Sequence, residues 1–174
     1  MNGKMQIVAL MIGVISAIGF GTARAAGEGM NLGFGISSNA DARDVGLPIY
    51  PGARVHKDGG GGNDSAKIWA GFKSFGMTFA TIRLDSNDLP SHIVSFYVDA
   101  LRHYGPVLDC SPGKAHSQNV DRNPGVLSCD DSQPKLGSYF FKAGEKSDFH
   151  AVAIEPGAGK TEIVLIAVQR RGIR

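Results

Sequence analysis

Five histidines (His56, His92, His103, His116 and His150), two cysteines and a scatter of carboxylates are the groups on which chemistry could be built. Asp99 and His103 stand four residues apart. On a helix that spacing sets a carboxylate against an imidazole, the orienting half of an acid–base pair. His150, in an apolar run, is a second candidate base. His92, Asp99 and His103 share a stripe, but eleven residues of helix hold the two imidazoles about 16 Å apart, too far for one ion. His116 lies between Cys110 and Cys129 without any familiar zinc spacing. Serine catalysis lacks its strained elbow, since Gly71-Phe72-Lys73-Ser74-Phe75-Gly76 has the wrong spacing for G-x-S-x-G. Asp130 and Asp131 are adjacent, so their carboxylates point apart and read as a solvated turn. Asp99, His103 and His150 are therefore the only candidate catalytic residues, and no cofactor or metal is expected.

Two glycine-rich segments imitate binding loops. Gly157-Ala158-Gly159-Lys160-Thr161 ends like a phosphate-binding loop, but Ile154 occupies the position of its first glycine. An aliphatic run follows where the phosphate-cradling helix should start, so a hairpin turn is expected instead. Gly59-Gly60-Gly61-Gly62-Asn63-Asp64-Ser65-Ala66-Lys67 matches one copy of a calcium repeat, with small Ala66 where a large apolar residue belongs. Such repeats work as tandem stacks, and a single copy reads as a connector.

The first 25 residues read as a secretory signal peptide. Lys4 precedes an apolar run from Met5 to Gly21, and Thr22-Ala23-Arg24-Ala25-Ala26 offers the small residues of a cleavage site after Ala25. The run is short for ~30 Å of hydrocarbon and contains Gln6 and Ser16, so no stable membrane insertion is expected after cleavage. Lys+Arg 18 against Asp+Glu 16 gives +2; Lys4 and Arg24 lie in the leader, leaving the exported chain neutral. A neutral chain has no net attraction to phosphate, which argues against nucleic acid as partner. The basic cluster Gln169-Arg170-Arg171-Gly172-Ile173-Arg174 reads as a solvated end. Export to the periplasm or medium favours a Cys110–Cys129 disulfide around a polar, turn-rich segment.

These groups need elements to hold them. Residues 26–44 read as a flexible N-terminal arm, 45–170 as one domain and 171–174 as a tail. Pro90 to Tyr104 is a helix, with Ile93, Phe96, Tyr97, Ala100, Leu101 and Tyr104 on one apolar stripe, Asn87 and Asp88 as caps and Gly105-Pro106 as a stop. Strands are expected at Arg54–Lys57, Lys67–Lys73, Met77–Leu84, Val107–Cys110, Val126–Cys129, Ser138–Lys142, Phe149–Ile154 and Glu162–Val168. Ser74-Phe75-Gly76 would join the second and third as a hairpin, and the almost wholly aliphatic last strand belongs in mid-sheet. Tyr139-Phe140-Phe141 puts at least one aromatic away from the helix, under the arm or at a partner site. The class is α+β: a mostly antiparallel sheet packed against one main amphipathic helix.

Leu47-Pro48-Ile49-Tyr50-Pro51-Gly52-Ala53, the strand end Arg83-Leu84-Asp85-Ser86, and Val94-Ser95-Phe96-Tyr97 on a helix ending Tyr104-Gly105 resemble small exported bacterial proteins of uncharacterised function. The resemblance spans about half of the exported chain and rests on turn and core residues. It implies an exported α+β domain and no activity. The expected function is a non-enzymatic module of the cell envelope that binds a small molecule or an envelope protein. The alternative is a small exported hydrolase using a His/Asp pair.

Mass spectrometry of the denatured protein, exported with its own leader, should give a chain beginning at Ala26 and two hydrogens lighter than its reduced form. A mass retaining residues 1–25 would identify the apolar run as an anchor.

Overall fold

The computed structural model describes residues 33–57, 65–72, 75–114, 125–129 and 134–172. Eight strands make one antiparallel sheet: β1 (Gly33–Ser37), β2 (Arg54–Val55), β3 (Ser65–Phe72), β4 (Phe75–Ser86), β5 (Leu108–Asp109), β6 (Tyr139–Glu145), β7 (Asp148–Pro156) and β8 (Thr161–Gly172). Their order is β1-β3-β4-β8-β7-β6-β5, with β2 pairing the far end of β4 beyond β3. A short helix α1 (Ala42–Val45), the main helix α2 (Pro90–Leu101) and a 3-10 turn (Arg102–Tyr104) complete it. The chain is thus mainly sheet with a couple of helices, where an α+β class with one main helix was expected. The mostly antiparallel sheet itself is as expected.

The aliphatic last strand lies in mid-sheet between β4 and β7. Alternation along it explains why: Ile163, Leu165 and Ala167 are buried toward the helices, while Val164, Ile166 and Val168 are half-buried on the opposite face. On the helix side these side chains meet Ala80, Ile82 and Leu84 of β4 and Val152 and Ile154 of β7 in one core. Ile93, Tyr97 and Leu101 of α2 close that core from above, one turn apart and fully buried.

The Leu47–Ala53 segment is a strap that ties this helix down. The Tyr50 backbone N–H donates to the Tyr97 hydroxyl at 3.1 Å. The Tyr50 hydroxyl donates to Asp88 at 2.7 Å, and its ring meets Phe96 edge-on at 5.2 Å. Asp88 is thereby occupied, and α2 starts at Leu89 with no side-chain cap, contrary to the capping role expected of Asn87 and Asp88.

Other boundaries differ for tertiary reasons. Gly33–Ser37, placed in the flexible arm, forms the edge strand β1 because Trp69 of β3 lies across Gly33 and Gly35, where any Cβ would collide with the indole. The rest of the arm carries α1, whose Asp41 and Asp44 form a reciprocal capping box, while Lys67 pairs with Asp44. Phe75 and Gly76, expected in the turn, belong to β4, opposite Phe72 and Gly71. Val126–Cys129 is not a strand; Cys129 is bonded to Cys110 with Cα atoms 5.4 Å apart. β8 runs on to Gly172, into the expected tail. The leader, the calcium-like loop before Ser65, His116 and Asp130-Asp131 lie outside the described residues.

Tyr97→Phe leaves the Tyr50 N–H without its acceptor in a buried setting and should cost about 1–3 kcal/mol, read as a lower Tm. Tyr50→Phe, which loses only the partly exposed link to Asp88, should cost less. Equal losses would mean that the strap is held by ring packing alone.

Candidate functional site

The three candidate catalytic residues are close in space but do not form one centre. Gly46, Pro48, Phe96, Asp99, Ala100, His103 and Tyr104 line a cleft of about 450 Å³ between α2 and the strap. Asp99 does not orient His103. Its carboxylate instead takes Arg102 Nη1 at 2.6 Å, and no bond between Asp99 and His103 forms among the described residues. Among the described residues no serine, threonine or cysteine lines the cleft. An imidazole without an orienting carboxylate or a neighbouring nucleophile lacks the arrangement that acyl transfer needs.

His150 lies one layer deeper. It is 4% exposed, and its ring stacks under Tyr104 with centroids 3.5 Å apart and planes 23° from parallel. Among the described residues neither ring nitrogen has a hydrogen-bond partner. The Tyr104 hydroxyl donates to the Gly46 carbonyl. Gly46 ends α1 in the left-handed conformation at φ 66. A side chain there would stand 2.8 Å from the Tyr104 hydroxyl and 2.9 Å from His150 Nε2, so only glycine lets the strap pass. Burial pushes the His150 pKa below its ordinary value, only partly opposed by Asp148. The neutral ring is a packed part of the core.

A histidine–carboxylate pair does form elsewhere, between residues far apart in the chain. His56 Nδ1 stands 2.8 Å from Asp85 Oδ2, and Lys160 Nζ reaches the same oxygen at 2.8 Å. Burial alone would raise the Asp85 carboxyl, but Lys160 and His56 hold it below the usual range. The pair was legible only through the expected strand after Arg54, because pairing of Arg54 with Asp85 is what brings His56 alongside. Lys160 also settles the phosphate-loop fragment: it closes a β7–β8 turn, where the Gly157 N–H donates to the Lys160 carbonyl at 2.9 Å. Thr161 donates to the Asp88 carbonyl and begins a strand.

The largest departure from a finished surface is on the other side of the sheet. Phe34 (60% exposed), Ile36 (68%), Ile68 (38%), Phe75 (48%), Met77 (43%) and Phe79 (38%) all face away from the helices, as alternation and register require. At roughly 200 Å² per side chain they leave on the order of 500 Å² of apolar surface in water, near the top of the range for a monomer. Among the described residues no helix or strand packs on them. The other end of this face is covered: Lys142 is buried there, donates to the Ser128 carbonyl at 3.1 Å and lies 5.4 Å over the Phe140 ring. Phe140 is thus the outward aromatic, half-buried with Lys142 over its ring.

Comparison of the chain with protein-family models, characterised proteins and solved structures gave no match. No described helix is long and apolar enough to cross a membrane, and the bonded cysteine pair is compatible with an oxidising compartment.

The depressed His150 pKa gives stability that is complete above pH 6.5, where both folded and unfolded chains carry a neutral ring. It is lost as pH falls toward the folded-state value, because the unfolded chain then binds the extra proton. Tm should therefore decline between pH 7 and 5 in the native chain, and His150→Leu should flatten that stretch of the curve. An equal slope in both proteins would place the titrating group elsewhere.

Proposed function

We propose that this chain is a non-enzymatic exported module that docks on another component of the cell envelope through the bare face of β1, β3, β4 and β8. One observation carries the reading: six large apolar side chains of β1, β3 and β4 share that face and stay in water, while the opposite face of the sheet carries the buried core. Sheets that end with one face uncovered normally place polar residues there. An apolar face of this extent is the usual mark of an interaction surface. The leader read from the sequence and the disulfide support an extracytoplasmic setting.

A hydrolase remains the second reading, favoured by the cleft that Asp99 and His103 line. It predicts turnover of ester or phosphate chromogens that His103→Ala abolishes. Turnover with that dependence would displace the docking reading.

A docking face contributes to binding and little to the fold of the free chain. Phe34→Asp and Ile36→Asp should therefore shift stability by no more than about 0.5 kcal/mol in urea unfolding. They should also lower the binding of a fluorescent apolar dye to the native protein. A loss of several kcal/mol in either variant would mean that the face is covered within the chain, and the reading would fail.

A further inference from the structure

We infer, resting on that docking reading, that the component met by this face is an anionic lipid surface, bound at its boundary without a membrane-crossing segment. Charge is distributed along the strands in the way such a surface requires. At the end of the face near β2 every described carboxylate has a cation: Glu162 with Arg83 at 3.1 Å, Asp85 with Lys160, and Glu155 with Lys135 at 2.8 Å. The middle of the face, Ile68 and Phe79, is uncharged. At the other end, the register of β4 and β8 lays Met77 opposite Arg170 and Gly76 opposite Arg171. Arg170 is thereby set on the apolar face beside Met77, in the row of the sheet that also carries Phe34. Arg170 is exposed and has no carboxylate partner among the described residues.

Exposure along β4 rises toward that basic end, from Phe79 through Met77 to Phe75. The β3–β4 hairpin also shows an apolar group on its second face, where Trp69, half in water, lies over the glycines of β1. A hairpin that carries exposed apolar groups on both faces, with Arg170 at the margin of one, matches the boundary between acyl chains and phosphate headgroups. Phenyl, indole and thioether groups enter to a shallow depth there, and guanidinium groups pair with phosphate. The sheet face of a subunit interface would have no need of apolar groups on both sides of the hairpin. The β6–β7 turn, Glu145 and Asp148 with Lys146 between, stands at the same end of the sheet on the side of β8 opposite the hairpin.

The test is sedimentation of the exported protein with vesicles of phosphatidylglycerol mixed with phosphatidylcholine, and with vesicles of phosphatidylcholine alone. Trp69, the single tryptophan, reports entry by a blue shift of its emission. Binding to the anionic vesicles should be at least about tenfold tighter and weaken with salt. Met77→Asp should weaken binding to both vesicles about tenfold or more, whereas Arg170→Glu should weaken only the anionic case. Binding that ignores both substitutions overturns the inference. So does sedimentation velocity showing a stable dimer that Met77→Asp dissolves, which would make the occupant a second copy of this chain. Absence of vesicle binding, with Phe34→Asp and Ile36→Asp neutral for stability, removes the lipid and leaves the docking face. Destabilisation by those two variants removes both.

Discussion

An antiparallel sheet leaves two surfaces to be taken out of water, and here the chain between β4 and β5 supplies a single long helix. That helix covers β6 and β7, and α1 with the strap covers the neighbouring stretch of β4 and β8. One core results, closed by Tyr97 and its bond to the backbone of Tyr50. On the reverse face, among the described residues, the end near the disulfide alone has a cover. Everything unusual about the molecule follows from this shortage of covering elements. Lys142 is buried where cover exists, and Phe34, Ile36 and Met77 stand in water where it does not.

The parts of the fold that were legible in the sequence are those decided within a short stretch of chain. Ile93, Tyr97 and Leu101 announce a helix because one turn separates them, and the structure buries all three. The alternating and β-branched runs announce β3, β4, β7 and β8, and the aliphatic character of β8 places it in mid-sheet. What was missed depends on partners distant in sequence. Glycine-rich β1 has little intrinsic strand preference and exists because Trp69 needs a surface without Cβ atoms. Its one local signal was the alternation of Phe34 and Ile36. Asp88 looked like a cap, yet the Tyr50 hydroxyl claims it from across the core.

The candidate site shows the same division. Spacing placed Asp99 and His103 on one side of a helix, and both do line the cleft. Spacing could not foresee that Arg102, one residue away from His103, would take the carboxylate. His150 sits on a strand as its setting suggested, but its unbonded nitrogens belong to a stacked layer beneath Tyr104 and not to an open cleft. The pair that does form, His56 with Asp85, is created by the β2–β4 ladder. Side-chain chemistry in this protein is therefore assembled by strand pairing, the level at which sequence pattern says least.

The central ladder joins β4 to β8, pairing Phe75 with Gly172 and Ser86 with Thr161 across almost all of the intervening chain. The β3–β4 hairpin and the β6–β7–β8 meander each form from neighbours in sequence, while their union must wait for a very large loop to close. Folding is accordingly expected to be slow, with two half-sheets that each show an open edge before they meet. Because β8 lies between β4 and β7, the core cannot close until residues 161–172 have paired with both halves, and until then β4 keeps an open apolar edge.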